Sequence, residues 1–219
     1  MYLSRVQIDD RNRQKIKTLN QLQAYHGWVE NCFPENDRHH SPRRLWRTDY
    51  LDGKRYLLIL SATKPALSAL EKYGVEGSAA SKDYDHYVDS LKEGQIMRFR
   101  LTANPVHRLT VPGQKQGHIY PHVTIDQQKK WLLDRCAKNG FAIVDNEAGE
   151  PSFDVVERDH PVLTHKGQHR VRLSRVSFEG LLKITDLAQF KQTLRSGLGR
   201  EKAYGMGLLT VIPAGPQNA

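Results

Sequence analysis

The segment Gly197-Leu198-Gly199-Arg200-Glu201-Lys202-Ala203-Tyr204-Gly205-Met206-Gly207 sets four glycines around two cations, Arg200 and Lys202. Glycine takes up positive φ without strain and, lacking Cβ, lets its backbone approach a ligand. Paired Gly-x-Gly units enclosing an arginine and a lysine therefore suit the binding of a phosphate. A plainer reading of the same residues is a helix C-cap followed by a tight turn, although a stop signal needs one glycine rather than four. The segment is not a P-loop, which ends in Gly-Lys-Ser/Thr and enters a helix, because Gly207 runs into the strand-like Leu208-Leu209-Thr210-Val211-Ile212. A Rossmann fingerprint fails too, since these glycines follow the helix-like stretch Leu187 to Ser196 instead of a first strand.

Histidine, which titrates near neutrality, is the natural proton-transfer group, and the chain has ten. Ile16, Leu19, Leu22, His26, Val29 and Phe33 recur at three- and four-residue steps, which puts His26 on the apolar stripe of a helix and fits a half-buried structural histidine. Gly27 beside it is costly inside a helix and leaves room for a ligand or another backbone. Metal binding has little support. His39 and His40 diverge as chain neighbours, and Pro121 keeps His118 and His122 off a shared helical face. Only Cys32 and Cys136 occur, too few for a disulfide framework or a cysteine zinc site. No metal or cofactor is expected, and no Gly-x-Ser-x-Gly elbow or carboxylate pair is evident.

The elements that must position these groups read as strand (2–8), helix (14–31), strand (43–50), a turn at Asp52-Gly53, strand (55–61), helix (66–73) and strand (84–91). A second round follows: strand (95–103), a helix capped by Asp126 and closed at Asn139-Gly140, strand (141–145), strand (168–184), a helix capped by Asp186, the Gly-rich loop, and strand (208–212). The expected fold class is α+β, with two tandem ferredoxin-like (βαββαβ) domains and antiparallel sheets, residues 1–92 and 93–219. Met97, Phe99 and Leu101 alternate with Arg98 and Arg100, so this strand should have an apolar and a basic face. A change of apolar parity near Ser174-Arg175 predicts a β-bulge there.

The formal charge is +9, which favours a polyanionic partner. The charges are also segregated. Residues 94–125 carry Arg98, Arg100, Arg108 and Lys115 without a carboxylate, and 160–177 carry only Lys166, Arg170, Arg172 and Arg175 as charges. Basic residues on strands also protect sheet edges, so this is not diagnostic alone. The aromatic RNP1 pattern of RNA recognition motifs is missing, so if the polyanion is RNA it should be recognised through backbone and shape rather than by stacked bases. An apparent β-hairpin from Arg158 to Arg172, with Lys166 near its turn and Arg170 and Arg172 on one face, is the candidate grip for that polyanion. No leader or membrane-spanning run is evident, and a cytoplasmic, non-membrane protein is expected.

The pattern Gly-x-Gly-x-x-Lys-x-x-Gly-x-Gly near the C-terminus resembles that of the CRISPR-associated repeat endoribonucleases, most closely the CasE (Cse3) branch of type I-E systems. Met1-Tyr2-Leu3-Ser4-Arg5-Val6, Met97-Arg98-Phe99-Arg100-Leu101-Thr102-Ala103-Asn104-Pro105 and Phe178-Glu179-Gly180 agree in order and position, so the likeness spans nearly the whole chain. It implies a metal-independent endoribonuclease that binds a CRISPR repeat hairpin, cuts at the 3′ base of its stem by 2′-hydroxyl attack, and joins the Cascade complex. By the same resemblance His26 is the catalytic histidine of the helix after the first strand, Lys202 is the loop lysine facing RNA, and Tyr25 is a weaker catalytic candidate. RNA contacts are expected from Arg158, Lys166, Arg170, Arg172, Gly197, Gly199, Arg200, Gly205 and Gly207, since a basic hairpin of the second domain engages the stem in that family. Two alternatives stand beside this reading: an inactive hairpin-binding subunit in which His26 is only core, and an unrelated enzyme of nucleotides or phosphorylated metabolites.

Overall fold

The computed structural model describes residues 1–36, 43–110, 117–164 and 170–215. The chain forms two compact units. The first comprises Met1–Leu91 with Arg195–Gly197 and Glu201–Leu208; the second comprises Lys92–Leu194, Leu198–Arg200 and the chain from Leu209 onward. The division is thus not one contiguous domain followed by another, for pieces of the Gly-rich loop return to the first unit.

In the first unit, β1 (Tyr2–Gln7) leads to α1 (Arg13–Thr18) and α2 (Leu22–Asn31), then β2 (Leu45–Leu51), β3 (Lys54–Ser61), α3 (Leu67–Leu70), β4 (Ala80–Asp83) and α4 (Asp85–Ser90). The strands form one antiparallel sheet in the order β2-β3-β1-β4, the ferredoxin-like arrangement. Asp52 and Gly53 both have positive φ, as a two-residue hairpin turn with the sheet's twist requires. The core holds Val6, Leu57, Ile59, Leu60, Trp28, Val29 and Trp46.

Two expectations in this unit need correction. The single helix over 14–31 is broken at Leu19, the C-cap of α1, and restarts at Leu22. The stripe counted through that break loses its phase. Tyr25, 7% exposed, lies on the buried face with Leu22, Trp28 and Val29, while His26 is only half-buried. The segment expected as strand 84–91 is α4, preceded by the short β4. Tyr84, Val88 and Leu91 are its buried members, a helical spacing that overrides their strand propensity.

In the second unit the order is β5 (Ile96–Ala103), β6 (Val106–Leu109), β7 (His118–Pro121), α5 (Ile125–Cys136), β8 (Phe141–Ile143), β9 (Phe153–Asp159), β10 (Val162–Thr164), β11 (Arg170–Arg172), β12 (Arg175–Ile184), α6 (Leu187–Ser196) and β13 (Leu209–Pro213). Its main sheet runs β13-β5-β12-β8 with β9 also on β12, a second ferredoxin-like order. The fold class is therefore α+β with tandem ferredoxin-like units. The N-cap of α5 is Thr124 rather than Asp126, in a reciprocal capping box with Gln127. At its far end Gly140 closes the helix with φ of +80°; a Cβ there would lie 2.5 Å from Asp186 O.

The strand expected over 168–184 is two strands in two sheets, β11 and β12, parted at Leu173-Ser174, and the register shift against β9 falls between Ser177 and Phe178. Met97, Phe99 and Leu101 are buried as the alternation requires. The other face of β5 is less basic than its sequence, because Arg100 pairs with Glu179 and with Glu157 at 3.4 Å.

Candidate functional site

His26 sits mid-way along α2, whose position is fixed by the buried neighbours of the histidine rather than by the histidine itself. The Tyr25 ring stacks on Trp46 of β2, with centroids 5.6 Å apart and planes 17° from parallel. Trp46 in turn donates its Nε1 proton to the carbonyl of Ala203 at 3.1 Å. That carbonyl belongs to the one-turn 3₁₀ helix Lys202–Tyr204, which packs against both α2 and β2. Tyr204 thereby comes to lie 6.0 Å from His26 between ring centroids, tilted by 60°.

The glycines of the loop are used for packing as well as for conformation. Gly205 has φ of +78° and lies flat on the Trp46 indole, so a Cβ would meet the ring at 2.6 Å. Gly197, with φ of +74°, faces Leu45 and the Gly207 carbonyl, where a Cβ would sit 2.7 Å from that oxygen. Glu201, between them, is a non-glycine residue in the left-handed region, with φ of 59°.

Lys202 is half-buried and bends back on the chain. Its Nζ donates to the carbonyls of Ser196 at 2.7 Å and Gly197 at 3.0 Å, at the C-terminal end of α6, where a cation is favoured. Burial, reinforced by the charge of Arg43, pushes its ammonium below the usual lysine range. An ammonium has three N–H donors, so one remains beyond the two carbonyls. His26, Lys202, Tyr204 and the Gly205–Gly207 backbone thus gather in the first unit. Tyr25 does not present its ring to solvent and acts as a support for Trp46. Sequence reasoning passed over Tyr204, whose only signal is an aromatic placed among loop glycines, and Arg43, two residues ahead of β2.

The remaining expected RNA contacts among the described residues lie in the second unit. Arg170 and Arg172 are exposed and, two residues apart on β11, share a face of the β10–β11 hairpin, with Arg172 opposite Val162. Arg158 is not part of that hairpin. It belongs to β9, and its guanidinium donates to the Val123 carbonyl at 2.6 Å. Gly199 and Arg200 are exposed, and a Cβ on Gly199 would lie 3.3 Å from Trp131. Lys166 falls outside the described residues. Among the described residues no group of three His, Cys, Asp or Glu side chains is arranged for a metal ion, and no helix is long and apolar enough to cross a membrane.

Chemically, a histidine beside a glycine-rich turn that carries a lysine can hold a phosphodiester and move a proton at it. Residues 1–213 match the family model described as "CRISPR associated protein". The chain is 29% identical to the CRISPR-associated endoribonuclease Cse3 of Thermus thermophilus over 97% of its own length and 100% of the relative's. It superposes with a TM-score of 0.79 on the structure of Thermus thermophilus Cse3 bound to an RNA representing a pre-cleavage complex, at 27% identity and covering 97% of this chain and 98% of that one. Cas6e from Escherichia coli K-12 shares the fold, with a TM-score of 0.67, 23% identity, and 97% and 100% coverage.

Proposed function

This chain belongs to the CRISPR-associated protein family, and from that premise we propose that it is a metal-independent endoribonuclease that processes CRISPR repeat RNA. It binds the repeat stem-loop and cuts at the 3′ base of the stem. The 2′-oxygen before the scissile phosphate attacks phosphorus and loses its proton to a base, while the bond to the 5′-oxygen breaks and that oxygen takes up a proton. The products are a 2′,3′-cyclic phosphate and a 5′-hydroxyl.

The observation that carries this reading is the meeting of His26 with the 3₁₀ turn of the Gly-rich loop, through Tyr204 at 6.0 Å and the Trp46–Ala203 tie. His26 transfers a proton at the scissile phosphate. Lys202 offers its third N–H to a phosphate oxygen, and Tyr204 orients the imidazole. Arg170 and Arg172 bind the stem through its phosphates. The protein acts in the cytoplasm, keeps the product hairpin and enters the Cascade assembly with it.

The test is incubation of the protein with a labelled repeat hairpin in EDTA, beside the same hairpin carrying a single 2′-deoxy substitution before the scissile phosphate. The expected result is cleavage of the first and intact binding of the second. Loss of cutting in EDTA with the RNA still folded, or efficient cutting of the deoxy hairpin, points to a hydrolytic metal mechanism instead. Binding without cleavage of either RNA identifies an inactive binding subunit.

A further inference from the structure

The second unit contains a cavity of about 590 Å³ that the chemistry above does not use, lined among others by His107, Arg108, His122, Trp131, Arg135 and Arg200. Its walls combine flat rings with guanidinium groups. The imidazoles of His107 and His122 lie 4.8 Å apart between centroids, and the Arg135 guanidinium stands 4.3 Å over the Trp131 indole while donating to the Trp131 carbonyl at 2.8 Å.

Electrostatically the cavity is unbalanced. Its one carboxylate, Asp134, is engaged by Lys130 at 2.9 Å, whereas Arg108 and Arg200 make no ion pair among the described residues. Burial first, then the neighbouring His107 and Arg135, hold His122 below its ordinary titration range, so it presents an uncharged ring at neutral pH. Two buried nitrogens of the lining residues, His107 Nδ1 and Trp131 Nε1, have no hydrogen-bond partner among the described residues. Leaving such groups unpaired is unfavourable in a folded protein, and both belong to residues that line this cavity, where a polar ligand could pair them.

A ligand that fits must bring negative charge for the guanidinium groups, a flat ring for the imidazoles, and hydrogen-bonding atoms. A nucleotide has all three. We propose that this cavity takes one unpaired nucleotide of the RNA flanking the hairpin, with its phosphate at Arg108 and Arg200 and its base against His107 and His122. The inference rests on the RNA-binding reading above. It makes the second unit a reader of single-stranded RNA next to the stem, where recognition by stacking tolerates any base.

Fluorescence polarisation with two uncleavable 2′-deoxy hairpins tests it, one blunt and one with four unpaired nucleotides added at each end. Stacking of one base contributes about 1–3 kcal/mol, so the wild-type protein should bind the extended RNA about 5- to 150-fold more tightly than the blunt one. In the His107→Ala/His122→Ala variant that ratio should collapse to within about twofold of unity. Arg200→Gln, at an exposed position, should reduce the same ratio without endangering the fold, and near-UV circular dichroism checks both variants. An equal affinity of the wild type for the two RNAs overturns the proposal, as does a ratio unchanged in both folded variants. Competition by a nucleoside 5′-monophosphate with no advantage for the extended RNA also overturns it, and reassigns the cavity to free nucleotides. Failure of the wild type to bind either hairpin would instead refute the RNA-processing function itself.

Discussion

In the proposed mechanism, removing the His26 imidazole takes away a proton-transfer group and little else, because α2 is anchored by the buried Tyr25, Trp28 and Val29. His26→Ala should slow single-turnover cleavage about 10²- to 10⁴-fold, equivalent to about 3–5 kcal/mol, while hairpin affinity stays within a few-fold. A folded alanine variant cutting at the wild-type rate would remove His26 from the mechanism. A second side chain should govern acid stability. Because the folded state holds His122 below its ordinary range, the unfolded chain binds an extra proton as pH falls through about 6.5. Stability contributed above that pH is therefore lost on acidification through the folded value. The urea midpoint should fall between pH 7.5 and pH 5.5, and His122→Gln should show a smaller fall, which paired urea titrations would measure.

Two glycines beside the same site should respond in opposite ways. Gly27 is inside α2, has ordinary helical φ, and a Cβ there would meet nothing within 4 Å among the described residues. Gly27→Ala should stabilise the free protein by about 0.5–1 kcal/mol and raise Tm by about 1–4 °C. If cleavage falls while Tm rises, bound RNA occupies that space. Gly205→Ala must place a methyl group 2.6 Å from the Trp46 ring at φ of +78°, and should lower Tm by calorimetry and slow cutting together. The hairpin of β10 and β11 should show its role in salt dependence instead. With a slope of about −0.7 to −0.9 per phosphate contact, Arg170→Ala with Arg172→Ala should weaken hairpin binding and flatten the log–log plot by about one to two units. An unchanged slope would move the stem to another basic surface. How far these elements could be read from sequence follows from their range of interaction. β5 and the Asp52-Gly53 turn are set by local alternation and turn chemistry, and both were legible. The inversion of Tyr25 and His26 was not, because the break at Leu19 leaves no proline or glycine to mark it. Nor was the packing use of Gly205, since its partner Trp46 is remote along the chain.

The two units exchange chain at 91/92, 194/195, 197/198, 200/201 and 208/209, all but the first of these crossings within or beside the Gly-rich loop. Residues 1–92, expected from sequence to form a domain of their own, lack the Ala203 carbonyl that accepts from Trp46 and the Gly205 backbone that covers its ring. A fragment of residues 1–92 should therefore expose that indole, and its tryptophan emission should be red-shifted from that of the full chain and quenched more readily by acrylamide. A fragment with native emission and cooperative unfolding would show that the returning segment is dispensable. The same arrangement sets an order in time. On a ribosome, His26 is made long before Lys202 and Tyr204. The nascent chain therefore carries its histidine without the turn that packs against α2 until residues 202–204 have been made, and in the proposed mechanism it cannot cut RNA before then.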